Sequence, residues 1–121
     1  MTWEIVFYES PTGRCLMQEF LDGLNPKTEF PFVNHKIELL AEHGYLLKRP
    51  HADILENKIY ELRTDANKLQ FRCLYFFFDR NQIVLTHGIV KKGNKKYGDK
   101  IDPKEIKRAA DAREDYRKRH P

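Results

Sequence analysis

Cysteine is scarce in this sequence, and long apolar runs are absent. Among 121 residues only Cys15 and Cys73 are cysteines, without a Cys-x-x-Cys pair or metal-ligand spacing. We therefore predict no disulfide framework and no zinc site, but two reduced, mostly buried thiols in a cytoplasmic protein. No run of about 18 apolar residues occurs, which predicts no membrane span. No basic stretch precedes an apolar one at the start, so we expect no signal peptide.

Several catalytic patterns are also missing. The sequence has no glycine-rich loop for nucleotide phosphates, no Ser-His-Asp or Cys-His arrangement, and no His/Cys/Asp cluster typical of a metal site. We therefore expect neither a metal nor a cofactor. The chain instead combines 33% charged with 40% hydrophobic residues, which is typical of a folded globular protein. Its length predicts a single domain over residues 1–121.

Charge is distributed unevenly along the chain. Residues 1–90 contain 10 Lys and Arg against 12 Asp and Glu, whereas residues 91–121 contain 12 against 6. The balance is therefore −2 in the first part and +6 in the last quarter. Such asymmetry predicts a polyanion or an acidic protein as partner, and the alternative is a basic helix that is merely solvated.

The first half of the sequence contains one strand pattern and two helix patterns. A β-rich run predicts a strand over residues 3–8. Apolar residues at helical spacing predict helices over residues 14–24 and 31–46, separated by the helix-breaking Asn25-Pro26. Each helix would bury its apolar stripe against a sheet.

The second half has the pattern of strands followed by one helix. We predict strands over residues 57–64, 68–78 and 82–91, joined by three-residue turns into an antiparallel meander. The apolar run at 74–78 predicts a central strand that is covered on both faces. Asp102 and Pro103 suit the start of a C-terminal helix of about 16 residues. The order β-α-α-β-β-β-α predicts a compact α+β domain.

Basic side chains converge at one end of the predicted meander. If the turns are centred on residues 66 and 80, Arg63 faces residue 68 or 69 and Lys91 faces residue 69. Arg72 lies roughly 10 Å further along the central strand, and Lys92 follows Lys91. Arginines on strands are rigidly placed, and they can bind phosphodiester oxygens whose transition state gains negative charge.

These arginines also have an ordinary structural explanation. Arg63 could form an ion pair with Glu61 or Glu56, and Arg72 could form one with Asp53. Such pairs would stabilise the fold without any role in chemistry.

The histidines and the loop residues leave further alternatives open. His87 alternates with apolar residues of the last strand, so it is either a packed core residue or a catalyst. His51 lies in the predicted loop 48–56, where it could act as a general acid or base. Lys95 and Lys96 could bind RNA or simply be solvated, and Tyr97 beside them could stack on a base.

Four segments of the second half form a recognisable set. They are Tyr60-Glu61-Leu62-Arg63, the stretch from Phe71-Arg72 to Tyr75-Phe76, His87-Gly88 leading into Lys91-Lys92, and a final helix with Glu105-Ile106 before Ala109 and Arg113. Together they resemble the RelE/ParE toxin superfamily, and most closely its phage-derived, HigB-like branch. The resemblance covers residues 57–117, whereas residues 1–56 agree in element order alone.

The resemblance implies a RelE-like fold and a ribosome-dependent mRNA endonuclease that needs no metal. In such enzymes the 2′-OH attacks its own 3′-phosphate, which leaves a cyclic phosphate and a 5′-OH. By position, Arg63 and Arg72 would bind the scissile phosphate. Lys91 or Lys92 would stabilise the negative charge on that phosphate or transfer a proton. With His87, these residues are the catalytic candidates. The RNA-binding candidates are Lys58, Lys95, Lys96, Tyr97, Lys107 and Arg117.

The resemblance also implies partners. A toxin of a type II toxin–antitoxin pair would bind a helix-turn-helix antitoxin, the ribosome and mRNA, and it would be a cytoplasmic monomer when free. Two alternatives remain at this point. One is a ParE-like inhibitor of DNA gyrase, and the other is a phage-derived protein that acts by binding without catalysis.

Overall fold

The computed structural model describes residues 2–91 and 100–121, which form a five-stranded sheet with helices. The strands are β1 (Glu4–Phe7), β2 (Ala52–Ile54), β3 (Tyr60–Ala66), β4 (Leu69–Phe78) and β5 (Gln82–Lys91). The helices are α1 (Leu16–Asp22), α2 (Phe30–His43) and α3 (Pro103–Arg119), with short 3-10 turns at Gly44–Leu46 and Glu56–Lys58. The predicted α+β class is confirmed, and β2 is an additional short strand inside the predicted loop 48–56.

The strand order in the sheet is β1-β5-β4-β3-β2. Strands β3, β4 and β5 are antiparallel neighbours, which confirms the predicted meander, and β1 lies parallel to β5 at the edge. Strand β4 is central, and helices cover both of its faces. One core packs α1 and α2 on the sheet through Met17, Val33, Leu40, Phe71 and Tyr75. The other core packs α3 on the opposite face through Leu74, Phe76, Ala109 and Tyr116.

The turn between β3 and β4 contains two residues rather than the predicted three. Asn67 and Lys68 have φ values of 53° and 62°, the left-handed conformation that tight hairpin turns require. This turn places Arg63 directly opposite Arg72, so the prediction that Arg63 faces residue 68 or 69 was wrong. The two arginines therefore share one face of the sheet.

A bulge interrupts the pairing of β4 with β5. Leu74 faces His87 and Tyr75 faces Leu85, which leaves Thr86 as one extra residue on β5. The Thr86 hydroxyl donates to the Leu74 carbonyl at 3.2 Å. An extra residue in a strand reverses the alternation of side chains beyond it.

The bulge changes the faces of two candidate residues. His87 does not share the face of Leu85, as simple alternation predicted, but lies on the α3 side of the sheet. Lys91 faces Gln70 rather than residue 69. The bulge therefore brings His87 and Lys91 onto the face that carries Arg72.

Helix α3 begins as the sequence predicts. The Asp102 side chain accepts a hydrogen bond from the Lys104 backbone N–H at 2.9 Å, and Pro103 occupies the first turn. The helix has 17 residues and ends in Arg117, Lys118 and Arg119. No helix in the described ranges combines the length and the apolar character that crossing a membrane requires.

Candidate functional site

The candidate site is built around two arginines on adjacent strands. Arg63 on β3 and Arg72 on β4 are direct cross-strand neighbours. Like charges in that position destabilise a sheet unless other groups compensate them. Two carboxylates on β3 supply the compensation.

Glu61 lies between the two guanidinium groups. Its Oε2 accepts from Arg63 Nη1 at 2.6 Å, and its Oε1 lies 3.8 Å from Arg72 Nε. Asp65 accepts from Arg72 Nη1 at 3.1 Å, and the same Nη1 donates to the Phe71 carbonyl at 2.8 Å. The two arginines and two carboxylates are thus one connected charge cluster.

One predicted ion pair is present and another is not. Arg63 pairs with Glu61, as the structural alternative proposed. Arg72 does not pair with Asp53, whose partner is Arg49 at 2.9 Å. The sequence does indicate that Glu61 and Asp65 are the partners of the arginines. These two residues alternate with Arg63 along the strand, and every second residue of a strand faces the same side.

The two ends of the charge cluster differ in exposure. Arg72 and Glu61 have side chains that are each 2% exposed, whereas the Asp65 side chain is 69% exposed. Because the Asp65 carboxylate is largely in water already, it loses little hydration by leaving, and an incoming anion can take its place on the buried Arg72. Separating Glu61 from the arginines would instead leave a buried charge without a partner.

Lys91 joins the arginines from β5. It faces Gln70, two residues along β4 from Arg72, so the backbones of Lys91 and Arg72 are about 7–8 Å apart. Lys91 is 8% exposed. The remaining candidates at this end, Lys92, Lys95, Lys96 and Tyr97, lie outside the described residues.

A lysine and a histidine complete this edge of the sheet. Lys36 Nζ lies 2.7 Å from His51 Nδ1, and the His51 carbonyl accepts from the Arg63 backbone N–H at 2.7 Å. Burial lowers the pKa of Lys36. The charge of Asp65 raises this pKa, and the charge of Arg72 lowers it. Burial also lowers the pKa of His51, with a further contribution from Lys36. The sequence indicated His51 but contained no signal for Lys36, which reaches this edge from α2.

His87 lies beneath α3 rather than beside the arginines. It is 3% exposed, its Nδ1 lies 2.9 Å from Thr86 Oγ1, and its Nε2 lies 3.3 Å from Glu105 Oε1. Because the Thr86 hydroxyl donates to a carbonyl, its oxygen is free to accept from Nδ1–H. Burial lowers the pKa of His87, Glu105 raises it, and Arg108 lowers it again.

The direction of the His87 shift predicts a pH dependence of stability. The unfolded state binds a proton near pH 6.5, about the usual histidine value. The folded state binds it at lower pH, so the stability that neutral His87 contributes is lost as the pH falls below about 6.5. We expect the free energy of unfolding to fall less steeply between about pH 7 and pH 5 in His87→Asn than in wild type. Urea titrations at several pH values measure both slopes.

His35 on α2 provides the control for this prediction, because it is exposed and far from α3. His35→Asn should retain the wild-type slope. An unchanged slope in His87→Asn would mean that the attraction of Glu105 cancels the effect of burial on the pKa of His87.

The candidates for RNA binding that lie in the described residues are divided between two places. Lys107 is exposed on α3, and its Nζ forms an ion pair with Asp111 at 2.9 Å. Lys58 and Arg117 line one cleft of about 300 Å³ together with Arg113. A larger cleft of about 520 Å³ borders Glu61, Lys100 and Ile101. Of the charge cluster, Glu61 is the member that lines this cleft.

The described residues include no group of three or more His, Cys, Asp or Glu side chains that could hold a metal ion. The two cysteines are free, Cys73 being buried and Cys15 partly buried. Burial raises the pKa of Cys73 to about 12, so this thiol is not a nucleophile at neutral pH.

The fold defines the class of this protein. A mixed sheet with two helices on one face and a C-terminal helix on the other is consistent with a RelE-like fold. The family model described as "Phage derived protein Gp49-like (DUF891)" matches residues 19–114, so the chain belongs to this family. The family is toxin-like and related to RelE/ParE toxins, which supports a toxin role and suggests an antitoxin partner. No curated protein matches the chain.

Proposed function

We propose that this protein is the toxin of a type II toxin–antitoxin system, of the HigB-like branch, and that it cuts mRNA on the ribosome. The observation that carries the proposal is the pair of guanidinium groups on Arg63 and Arg72, in register on adjacent strands. Lys91 adds a third cation on the same face. Rigid cations on one face are suited to the charge that develops on a phosphodiester during cleavage.

Phosphate binding would begin at the exposed end of the charge cluster. A phosphodiester oxygen can replace the Asp65 carboxylate on Arg72, because Asp65 is largely exposed and makes one hydrogen bond there. Glu61 would remain between the arginines and keep Arg63 and Arg72 in place. In this proposal Asp65 is a placeholder for the substrate, and Glu61 is a positioning residue.

The chemical step needs a base and an acid. The 2′-OH attacks the adjacent phosphorus, the bond from phosphorus to the 5′-oxygen breaks, and the products are a 2′,3′-cyclic phosphate and a 5′-OH. His51, with its lowered pKa, is suited to accept the 2′-OH proton on Nδ1 once the Lys36 ammonium, which donates to that nitrogen, moves to the substrate phosphate. Lys91 is suited to donate a proton to the leaving 5′-oxygen.

The basic last quarter of the chain supports the proposed partners. Residues 91–121 carry 12 Lys and Arg against 6 Asp and Glu, and α3 ends with three consecutive cations. Such a surface binds ribosomal RNA through salt-dependent phosphate contacts. A helix-turn-helix antitoxin would neutralise the toxin, which in its free form would be a cytoplasmic monomer.

Purified protein added to translating ribosomes tests this function. We expect mRNA to be cut in the ribosomal A site, with products that end in a 2′,3′-cyclic phosphate and begin with a 5′-OH. The same mRNA without ribosomes serves as the control and should remain intact. Intact mRNA in both reactions, under conditions in which the ribosomes translate, would contradict the proposal.

The charge cluster also favours a second candidate, a role in binding alone. Glu61 and Asp65 form ion pairs with both arginines in the folded chain, as purely structural groups would. The protein would then act as ParE-like members do on DNA gyrase, or as a non-catalytic phage-derived binding protein. Overexpression distinguishes these functions, because gyrase inhibition changes plasmid supercoiling and induces the DNA-damage response while mRNA remains intact.

A further inference from the structure

A second cleft lies beyond the start of β3, at the opposite end of the strand from Asp65. It measures about 300 Å³, which is at the small end of the range for ligand sites. Its lining includes Tyr45, Ile54, Lys58, Tyr60, Arg113 and Arg117. Three of the lining residues are cations, and none of the described lining residues carries a carboxylate. We call it the distal cleft.

Arg113 is the buried cation of the distal cleft. It is 6% exposed, and its Nη1 donates to the Asn57 carbonyl at 2.6 Å. Its Nε has no hydrogen-bond acceptor among the described residues. Burial lowers the pKa of Arg113, the nearby charge of Arg117 lowers it further, and Glu114, which forms an ion pair with Arg117 at 3.0 Å, raises it. A buried guanidinium with an unused donor, close to a second cation, is stabilised when an anion binds.

The other wall of the distal cleft is aromatic. The Tyr45 ring is tilted by 31° against the Phe77 ring, with 3.9 Å between the ring centroids. Tyr45 is nevertheless 56% exposed, so Phe77 supports the ring while much of it remains open to solvent. A supported and exposed aromatic ring is suited to stacking on a nucleobase. An anion site beside such a ring matches a ligand that combines a phosphate with a base.

We propose that the distal cleft binds one nucleotide of single-stranded RNA. Lys58, Arg113 and Arg117 hold its phosphate, and Tyr45 stacks on its base. The inference rests on the proposed function, because the RNA is the mRNA strand that the arginine pair cuts. It adds a binding position away from the scissile phosphate.

The distance between the two sites fits one RNA strand. Tyr60 precedes Arg63 by three residues on β3, which corresponds to about 10 Å. Phe76, which also lines the distal cleft, follows Arg72 by four residues on β4, or about 13 Å. A strand of a few nucleotides spans this separation. The distal cleft would therefore hold the mRNA at a fixed distance from the bond that is cut.

Binding of a fluorescein-labelled octa-adenylate, measured by anisotropy without ribosomes, tests the distal cleft. Lys58→Ala/Arg117→Ala should weaken binding at least tenfold and reduce the slope of log K against log salt by about 1.4, or about 0.7 for each lost phosphate contact. Tyr45→Ala should weaken binding at least about fivefold through lost stacking. Arg113 is left unchanged because it also anchors α3 to the Asn57 carbonyl.

Arg14→Ala/Lys27→Ala provides the matched control, because it removes two exposed charges that lie outside the distal cleft and outside the RNA-binding candidates. Its affinity should stay within about twofold of wild type. Equal losses of octa-adenylate affinity in both double variants would overturn the proposal, since they would show that the RNA responds only to the net charge of the protein. Unchanged binding in Tyr45→Ala would also overturn it, because the cleft would then take an anion, such as an acidic protein segment, rather than a nucleotide.

Binding and cleavage are measured separately, so the two proposals can fail separately. If wild type binds octa-adenylate through the distal cleft but cuts no mRNA on ribosomes, the proposed function fails and the cleft assignment stands. If wild type cuts mRNA but the Lys58→Ala/Arg117→Ala protein binds and cuts equally well, the cleft assignment alone is wrong.

Discussion

Arg72→Ala should reduce ribosome-dependent mRNA cleavage by about 100- to 1,000-fold, because it removes a preorganised donor from the charge that develops on phosphate. Arg72→Lys should also be strongly impaired, since an ammonium group cannot reproduce the planar fork of a guanidinium. Cleavage rates on translating ribosomes under single-turnover conditions measure both losses. Wild-type rates in either variant would remove Arg72 from the proposed site.

Protein stability must be separated from catalysis in this experiment. Arg72→Ala leaves the buried Glu61 carboxylate without its second cation, which costs about 3–5 kcal/mol for a buried pair. The double variant Glu61→Gln/Arg72→Gln removes both charges together and should fold more stably than Arg72→Ala, as circular dichroism and urea titration can verify. It should still fail to cut mRNA.

Asp65→Asn is the matched control for the Arg72 variants. It neutralises the exposed carboxylate on the same guanidinium group and leaves Glu61 in place. We expect cleavage at the wild-type rate or faster, because phosphate no longer competes with a charged placeholder for Arg72. A loss of cleavage as large as that of Arg72→Ala would contradict the placeholder role and indicate that Asp65 takes part in the reaction.

Gly44→Ala should cause the largest loss of stability among alanine substitutions of the glycines in the described residues. Gly44 has φ 51° and ψ −121°, a conformation that L side chains avoid, and an added Cβ would overlap the indole ring of Trp3. Backbone strain and overpacking each cost about 1–3 kcal/mol. For a small domain, the melting temperature should fall by roughly 10 °C or more. Calorimetry or thermal circular dichroism measures the shift.

Two other glycines separate strain from overlap. Gly13 has φ 85° but open space around a new Cβ, so Gly13→Ala should cost only the strain, about 1–2 kcal/mol. Gly23 follows α1 with φ −84° and ordinary contacts, so Gly23→Ala should be close to neutral. If Gly44→Ala cost no more than Gly13→Ala, Trp3 would not be packed tightly between Gly44 and the rings of Tyr45 and Phe77.

Local patterns in the sequence determined the type and the order of most elements. The two-residue and helical periods identified the meander and the three helices, and Asp102-Pro103 identified the start of α3. These signals are local because they depend on neighbouring side chains and on backbone preferences. Strand β2 was missed because three residues, Ala52–Ile54, are too few to show a period.

The register of the meander depended on two features that a pattern does not display. The first is the two-residue turn at Asn67-Lys68, and the second is the bulge at Thr86. Each changes the pairing by a small number of residues, and a shift of one residue moves a side chain to the other face. The sequence therefore indicated that Arg63, Arg72 and Lys91 share one end of the sheet, but not that the two arginines are direct neighbours.

The sequence by itself determined the α+β class, the basic last quarter and the resemblance to RelE/ParE toxins, because these depend on composition, period and motif. Only the tertiary structure decided which charges meet. It placed Glu61 between two arginines and brought Lys36 of α2 into contact with His51. It also placed Lys58 in one cleft with Arg113 and Arg117. Such contacts join residues that are distant in the chain, and the packing of helices on the two faces of the sheet sets their distances.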